Sequence, residues 1–446
     1  MSLLAEIFNF KKVLFPLVIL GLLAAVGVLV MDWNSSISYF NNMLTFDNYA
    51  VAFSVALSAI ALLWFLMSKS YFEENTHISD HFALVIFSLI GGVFMVSYSN
   101  LSMLFLGIEI LSIPLYVLAG SKMNDLASNE SAFKYFLMGA FATGFLLFGI
   151  ALIYGVTGSF SIDKITEVIA GNNSELGGML YVGILMMLVG LAFKVSAAPF
   201  HFWAPDVYQG APTVVTAFMS TIVKIAAFAA FFRLFSTCFE SVAQEWVDVI
   251  SILCVLTLAI GNITAVFQNS VKRMLAYSSV AHAGYMLITL VSLNEISANA
   301  VLYYVISYSV ASIAAFAVLQ NVAAGRNDIT IEAFNGLGKR NPFLAFTITI
   351  ALLSLAGIPP LAGFFAKYYI FTTAFESGNI ILVLIAVVAS LIGIYYYFRI
   401  IIAAYLKDHE TNAPIEVSGL HKLLMILAIL LIIALGIAPD FFISLI

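Results

Sequence analysis

Apolar runs of 18 or more residues, separated by short polar connectors, recur along almost the whole of this chain of 446 residues. A run of that length can cross the hydrocarbon of a bilayer as a helix, and only helices and closed barrels satisfy their own backbone there. The alternating pattern of barrel strands is absent, so the sequence specifies an all-α polytopic membrane protein. Hydrophobic residues make up 63%, charged residues 9%, and mean hydropathy is +1.06, more than a water-soluble chain of this length could carry on its surface. No polar stretch is large enough to fold as a soluble head holding a cofactor. The first apolar run spans and lacks a small-residue cleavage site, so no cleavable signal peptide is expected.

Thirteen traverses follow from the runs, at about 13–31, 46–67, 81–98, 101–119, 133–157, 177–208, 212–235, 246–267, 271–293, 298–323, 343–375, 380–406 and 423–443. With the N-terminus inside, the connectors place twelve Lys and Arg on the inner face, from Lys11 and Lys12 through Lys122, Lys272, Arg273 and Arg326 to Lys407 and Lys422. Only Lys164 and Arg233 fall on the outer face. Basic residues concentrate in cytoplasmic loops, so the bias predicts a cytoplasmic N-terminus and a periplasmic C-terminus for a multi-pass protein expected in the bacterial inner membrane. It also checks the count, because one missed or invented traverse would scramble the alternation.

Two traverses, 177–208 and 343–375, exceed 30 residues where about 20 suffice. Pro199 lies within the first, and Gly357-Ile358-Pro359-Pro360 within the second. Proline removes a backbone donor and clashes with the preceding turn, so both helices are expected to break inside the membrane. Broken backbone at that depth is tolerated where it is buried in protein or lines a polar cavity. The breaks fall in the sixth and eleventh traverses. Traverses three to seven and eight to twelve then form two sets of five, each with its broken helix fourth. Because five is odd, the second set runs upside down, which makes an inverted repeat of the kind found in ion-coupled carriers. The predicted division is 1–78 for helices outside the repeat, 79–240 for the first repeat, 241–410 for the second and 411–446 for the C-terminal helix.

Few ionisable residues remain inside the apolar runs: Glu109, Lys194, Lys224, His282, Lys367 and Arg399, with His201 and Asp206 in the first break region. A charge at mid-bilayer costs at least about 2.5–3.5 kcal/mol on insertion scales, so each needs a partner, water or a role. Glu109 is either a neutral acid hydrogen-bonded to a neighbouring helix or the partner of a lysine. Lys194 either snorkels or responds to the distance of a carboxylate. The extra length of its traverse leaves it short of the surface. Lys224 stands near the midpoint of 212–235 and cannot snorkel, and Lys367 lies about two turns past Pro360. His282 is either a proton relay or a hydrogen-bonded core histidine, with Tyr277, Ser278 and Ser279 on the same helix able to hold water. Arg399 reads as a snorkelling residue, and Tyr395, Tyr396 and Tyr397 as interface or packing aromatics.

Cys238 and Cys254 are the only cysteines and form no CxxC, so disulfide frameworks, zinc sites and iron–sulfur ligation are unsupported. There is no Gly-rich phosphate loop and no Rossmann fingerprint. The chain alone carries no evident redox chemistry, ATP site or nucleophile, and nothing in it suggests nucleic acid as a partner.

The stretch Phe193-Lys194-Val195-Ser196-Ala197-Ala198-Pro199-Phe200-His201-Phe202-Trp203-Ala204-Pro205-Asp206-Val207-Tyr208-Gln209-Gly210-Ala211-Pro212 resembles the antiporter-like subunits of respiratory complex I, the proton-pumping NADH:quinone oxidoreductase. Its last seven residues resemble the N subunit more than the sister subunits or the multi-subunit Na⁺/H⁺ antiporters. Gly107-Ile108-Glu109-Ile110-Leu111-Ser112, Val271-Lys272-Arg273-Met274-Leu275-Ala276-Tyr277-Ser278-Ser279-Val280-Ala281-His282 and Leu355-Ala356-Gly357-Ile358-Pro359 extend the resemblance over nearly the whole chain.

The resemblance implies a Glu109–Lys194 pair, a central Lys224 and a Lys367 in the second broken helix, together moving protons across the membrane. It implies that quinone chemistry in other subunits drives them, with NADH, FMN, iron–sulfur clusters and quinone held by partners and no cofactor in this chain. The expected partners are the other membrane-arm subunits, antiporter-like ones included, and the lipid bilayer. The alternatives are a subunit of an Na⁺/H⁺ antiporter and a structural subunit without a proton path. Family members usually have fourteen traverses and an outside N-terminus. The missing helix would precede Leu3-Leu4-Ala5-Glu6, so this chain is expected either to be N-terminally shortened or to have its true start upstream. Because that helix lies outside the repeat, the proton path is expected to survive, and the difference bears on contacts with neighbouring subunits.

Overall fold

The computed structural model describes residues 11–73, 78–171, 177–323, 329–409 and 413–443. Arg326 and the stretch Leu3-Leu4-Ala5-Glu6 lie outside the described residues. In chain order the helices are α1 Lys11–Met31, α2 Asn48–Glu73, α3 Ile78–Ser97, α4 Leu101–Ala119, α5 Leu126–Thr157, α6 Ile162–Gly171, α7 Gly178–Lys194, α8 Trp203–Gly210, α9 Thr213–Ser220 and α10 Ile222–Arg233. They continue with α11 Val247–Val266, α12 Val271–Val291, α13 Ser297–Ala323, α14 Leu337–Arg340, α15 Pro342–Ala356, α16 Ala362–Glu376, α17 Ile380–Leu406, α18 Gly419–Ile437 and α19 Pro439–Ile443. A short antiparallel hairpin, Ile37–Tyr39 with Leu44–Phe46, joins α1 to α2.

Among the described residues, eleven helices are long and apolar enough to cross a membrane. The two long traverses are the split ones, α7 with α8 and α15 with α16, which accounts for the thirteen crossings. Local sequence sets the helix ends. Asn100, Asp125 and Asn341 each accept a backbone N–H of the turn they start, with Pro342 following Asn341 where its missing donor costs nothing. Gly158 and Gly357 close α5 and α15 in the left-handed region, at φ 67° and 87°. The cap at Asp125 starts α5 earlier than its apolar run does.

Burial orders the helices into a centre and a rim. The most apolar stretches of Thr213–Cys238, α12 and α13 are 100%, 94% and 94% buried, whereas that of α1 is 11% buried. A helix apolar on all sides must be covered on all sides or face lipid. Small residues let neighbouring helices approach: a Cβ on Gly261 of α11 would lie 2.6 Å from the Ala281 nitrogen of α12.

Candidate proton path

The first break is built from both sides. After Lys194 the chain leaves the helix, Ser196 takes φ 60°, and α8 resumes at Trp203. Backbone groups freed at this depth need partners. The Trp203 indole donates to Phe193 O at 3.0 Å, and the Ala198 N–H donates to Thr257 Oγ1 of α11 at 2.8 Å. Lys194, 5% exposed, is the last residue of α7, where the unpaired carbonyl end of the helix favours a cation. Its Nζ donates to Ser112 Oγ of α4, which in turn donates to Ile108 O. Glu109 lies on the same helix, three residues before Ser112 and so on the same face. It is within electrostatic reach of Lys194, and its buried Oε1 has no hydrogen-bond partner. The carboxyl and the amine thus share one site with Ser112 at its centre, rather than a direct hydrogen bond.

His201 is buried in the break and its Nδ1 has no partner. Asp206 takes a different direction. Its carboxylate meets Lys134 of α5 and Arg273 of α12, both at 2.7 Å, and Arg273 also reaches Gln209 at 2.9 Å. Lys272 is not a loop charge: it is wholly buried and donates to Ala211 O at 2.6 Å, just past the end of α8.

A third interruption separates α9 from α10 at Thr221, which leaves helical geometry at φ −114° and ψ −75°. Lys224 follows within a turn and is 1% exposed. Its Nζ donates to Ser279 O of α12 and lies 5.8 Å from the Tyr308 ring centre. Tyr208 of α8 and Tyr308 of α13 both approach Ser279, which joins the first break to the surroundings of Lys224.

His282 occupies the centre. Nδ1 is 2.7 Å from Tyr304 Oη and Nε2 is 3.2 Å from Tyr397 Oη, while Tyr397 also shares a hydrogen bond with Ser278. Both Lys224 and Lys367 act electrostatically on the imidazole. In the second break Lys367 reaches back from α16 to donate to Ala356 O, the end of α15, at 2.8 Å, and its amine lies 4.8 Å from the Tyr285 ring centre. Gly357 packs against this amine's stem: a Cβ there would meet Lys367 Cδ at 3.0 Å. Arg399 lies at the rim of this half and closes the end of α11, donating to Val266 O and Gln268 O at 2.6 and 3.0 Å. Cys238 and Cys254 are buried free thiols, and among the described residues no group of three or more His, Cys, Asp or Glu could hold a metal.

The structure places Glu109 with Lys194, and His282 between Lys224 and Lys367. The phenols around His282 are what sequence reasoning missed. Of the two readings, interface or packing, Tyr396 and Tyr397 at 1% exposure take the packing one, while Tyr395 is 59% exposed; Tyr277 turns instead to Arg273 at 5.9 Å. A signal was present. Successive residues of a helix step by about 100°, so three consecutive tyrosines cannot all face lipid.

The transmembrane model described as NADH:quinone oxidoreductase/Mrp antiporter matches residues 98–393. NADH-quinone oxidoreductase subunit N of Cytophaga hutchinsonii is 45% identical over 442 residues, 99% of this chain and 95% of that protein. Among solved structures, a chain of respiratory complex I from Thermus thermophilus superposes with a TM-score of 0.85 at 32% identity, covering 99% of this chain and 96% of its own. A chain of the Mrp complex from Dietzia superposes with a TM-score of 0.89 at 19% identity, covering 99% and 93%, which is a likeness of fold alone. The fold is thus shared widely, while sequence identity over the full length is specific, and the chain belongs to the NADH:quinone oxidoreductase/Mrp antiporter transmembrane family as a relative of the N subunits of NADH-quinone oxidoreductase.

Proposed function

We propose that this chain is a membrane-arm subunit of a proton-translocating NADH:quinone oxidoreductase, and that it carries protons along Glu109, Lys194, Lys224, His282 and Lys367 under the drive of quinone reduction elsewhere in the complex. One observation carries the path. The amines of Lys194, Lys224 and Lys367 rest on Ser112 Oγ, Ser279 O and Ala356 O, neutral acceptors that hold an ammonium without locking it as a permanent ion pair. Glu109, within reach of Lys194 but not hydrogen-bonded to it, can shift the balance of that amine as its own charge changes. The helix breaks at Pro199 and at Gly357, Pro359 and Pro360 bring carbonyl ends of half-helices to the two outer lysines.

In this reading 79–240 and 241–410 are the two halves of the inverted repeat, and the Lys-rich face is cytoplasmic in a bacterial inner membrane. Electron carriers, FMN, iron–sulfur clusters and quinone belong to partner subunits, among them the other antiporter-like ones. An Na⁺/H⁺ antiporter shares the fold, but 45% identity to an N subunit against 19% to the Mrp chain favours the oxidoreductase. A purely structural role leaves the Lys194, Lys224 and Lys367 amines unexplained at about 2.5–3.5 kcal/mol each.

The test of assembly is native electrophoresis of gently solubilised membranes with the chain tagged and the gel stained for NADH dehydrogenase activity. The tag is expected in a large NADH-oxidising band. A large band carrying the tag without that activity would overturn the assignment.

A further inference from the structure

Both nitrogens of His282 are held by phenol hydroxyls, Tyr304 of α13 at 2.7 Å and Tyr397 of α17 at 3.2 Å. A neutral imidazole has one N–H donor and one bare acceptor. The two tyrosines therefore hold opposite roles at any moment, one donating its O–H to the bare nitrogen and the other accepting from the N–H. Tyr397 carries the chain on to Ser278. The ring is 4% exposed and packs against Tyr308 and Tyr285 at 4.8 and 5.9 Å. Those two phenols are also the ones that face the Lys224 and Lys367 amines. The imidazole is thus walled off from both lysines by aromatic faces, while hydroxyls occupy its two nitrogens.

We propose that Tyr304 and Tyr397 are proton-relay residues that pass protons through His282 between the Lys224 and Lys367 sites, one proton for each switch of the imidazole tautomer; this rests on the proton-translocating reading above. As Tyr304 takes at its oxygen a proton given up by the ammonium of one lysine site, it gives its own to Nδ1, while Nε2 releases its proton to the Tyr397 oxygen. Tyr397 hands its own to Ser278, and Ser278 gives up its own hydroxyl proton toward the neutral amine of the other site. One N–H forms and one breaks, each phenol ends neutral, and the opposite direction runs through the same bonds. The ring is left in its other tautomer and cannot pass a second proton the same way until it resets. Turning it over means breaking both tyrosine hydrogen bonds, so the site passes single protons and does not leak.

The test uses the whole complex in tight membrane vesicles, with NADH-driven proton uptake measured beside NADH oxidation. Tyr304→Phe and Tyr397→Phe keep the rings and delete the hydroxyls. Each is expected to lower proton uptake by about tenfold or more while the assembled band persists. Tyr303→Phe serves as the control: that buried phenol bonds Leu435 O instead, and uptake is expected to hold. Normal uptake in both relay variants, with uptake lost in Lys224→Ala, overturns the tyrosine relay and leaves the proton path standing. Normal uptake in Lys224→Ala overturns the path itself. Should a phenylalanine variant fail to assemble, 3-fluorotyrosine at the same position preserves the packing and makes the phenol more acidic. Its pH profile of proton uptake must then move, and an unchanged profile overturns the relay.

Discussion

At the scale of single residues the account rests on amines that can lose a proton. Lys224→Arg keeps a cation at the same depth but one that does not release its proton, so coupled NADH oxidation is expected to fall in it as in Lys224→Ala. Wild-type rates in the arginine variant would show that only the charge is needed. Gly357→Ala tests the second break: the residue sits at φ 87° and its new Cβ would press on Lys367 Cδ at 3.0 Å. It should cost about 1–2 kcal/mol in backbone strain and displace the amine, read as reduced proton uptake in an assembled complex; full uptake would mean that Lys367 has room to move. The lysines were legible because a charge in an apolar run is conspicuous. Tyr304 and Tyr397 were not, because a phenol is at home in a membrane protein in any case. Their meaning comes from a partner 22 residues away in one case and 115 in the other.

At the scale of elements the two proline-bearing breaks could be read from sequence, since length and proline together leave no other fold. Their satisfaction could not. The Ala198 N–H is met by Thr257, 59 residues on, and Thr257→Val deletes that acceptor with little change of shape. Leaving the buried donor unpaired costs about 1–3 kcal/mol. The intact NADH-oxidising band is therefore expected to disappear at a lower temperature on heating membranes, and an unchanged midpoint would place the acceptor elsewhere. Asp206 ties α5, α8 and α12 together, but its partners are 37% and 30% exposed, so Asp206→Asn is expected to cost about 1 kcal/mol or less and to leave assembly intact. Loss of the assembled band in that variant would show that the clamp matters more than its exposure allows. The step at Thr221 escaped notice because a Ser-Thr pair in an apolar run carries no strong breaking signal. The short helix α6 was missed because its ten residues are too few to read as a traverse.

At the scale of the whole molecule, hydropathy alone yields the traverses and basic residues yield a direction. Lys164 and Lys407 are both exposed, on connectors assigned to opposite faces, and the natural cysteines are buried. In spheroplasts, a membrane-impermeant thiol reagent is expected to label Lys164→Cys and not Lys407→Cys; the reverse would invert the orientation. The fold by itself does not separate a complex I subunit from an Mrp subunit, which superposes with a TM-score of 0.89. What separates them is which residues occupy the buried positions and what assembly the chain joins. The most direct measurement is therefore NADH-driven acidification of inverted membrane vesicles bearing Lys224→Ala, compared with wild type at equal amounts of assembled complex. The account predicts that acidification falls by about tenfold or more. Acidification at the wild-type rate, for the same NADH oxidised, would contradict a proton path through this chain.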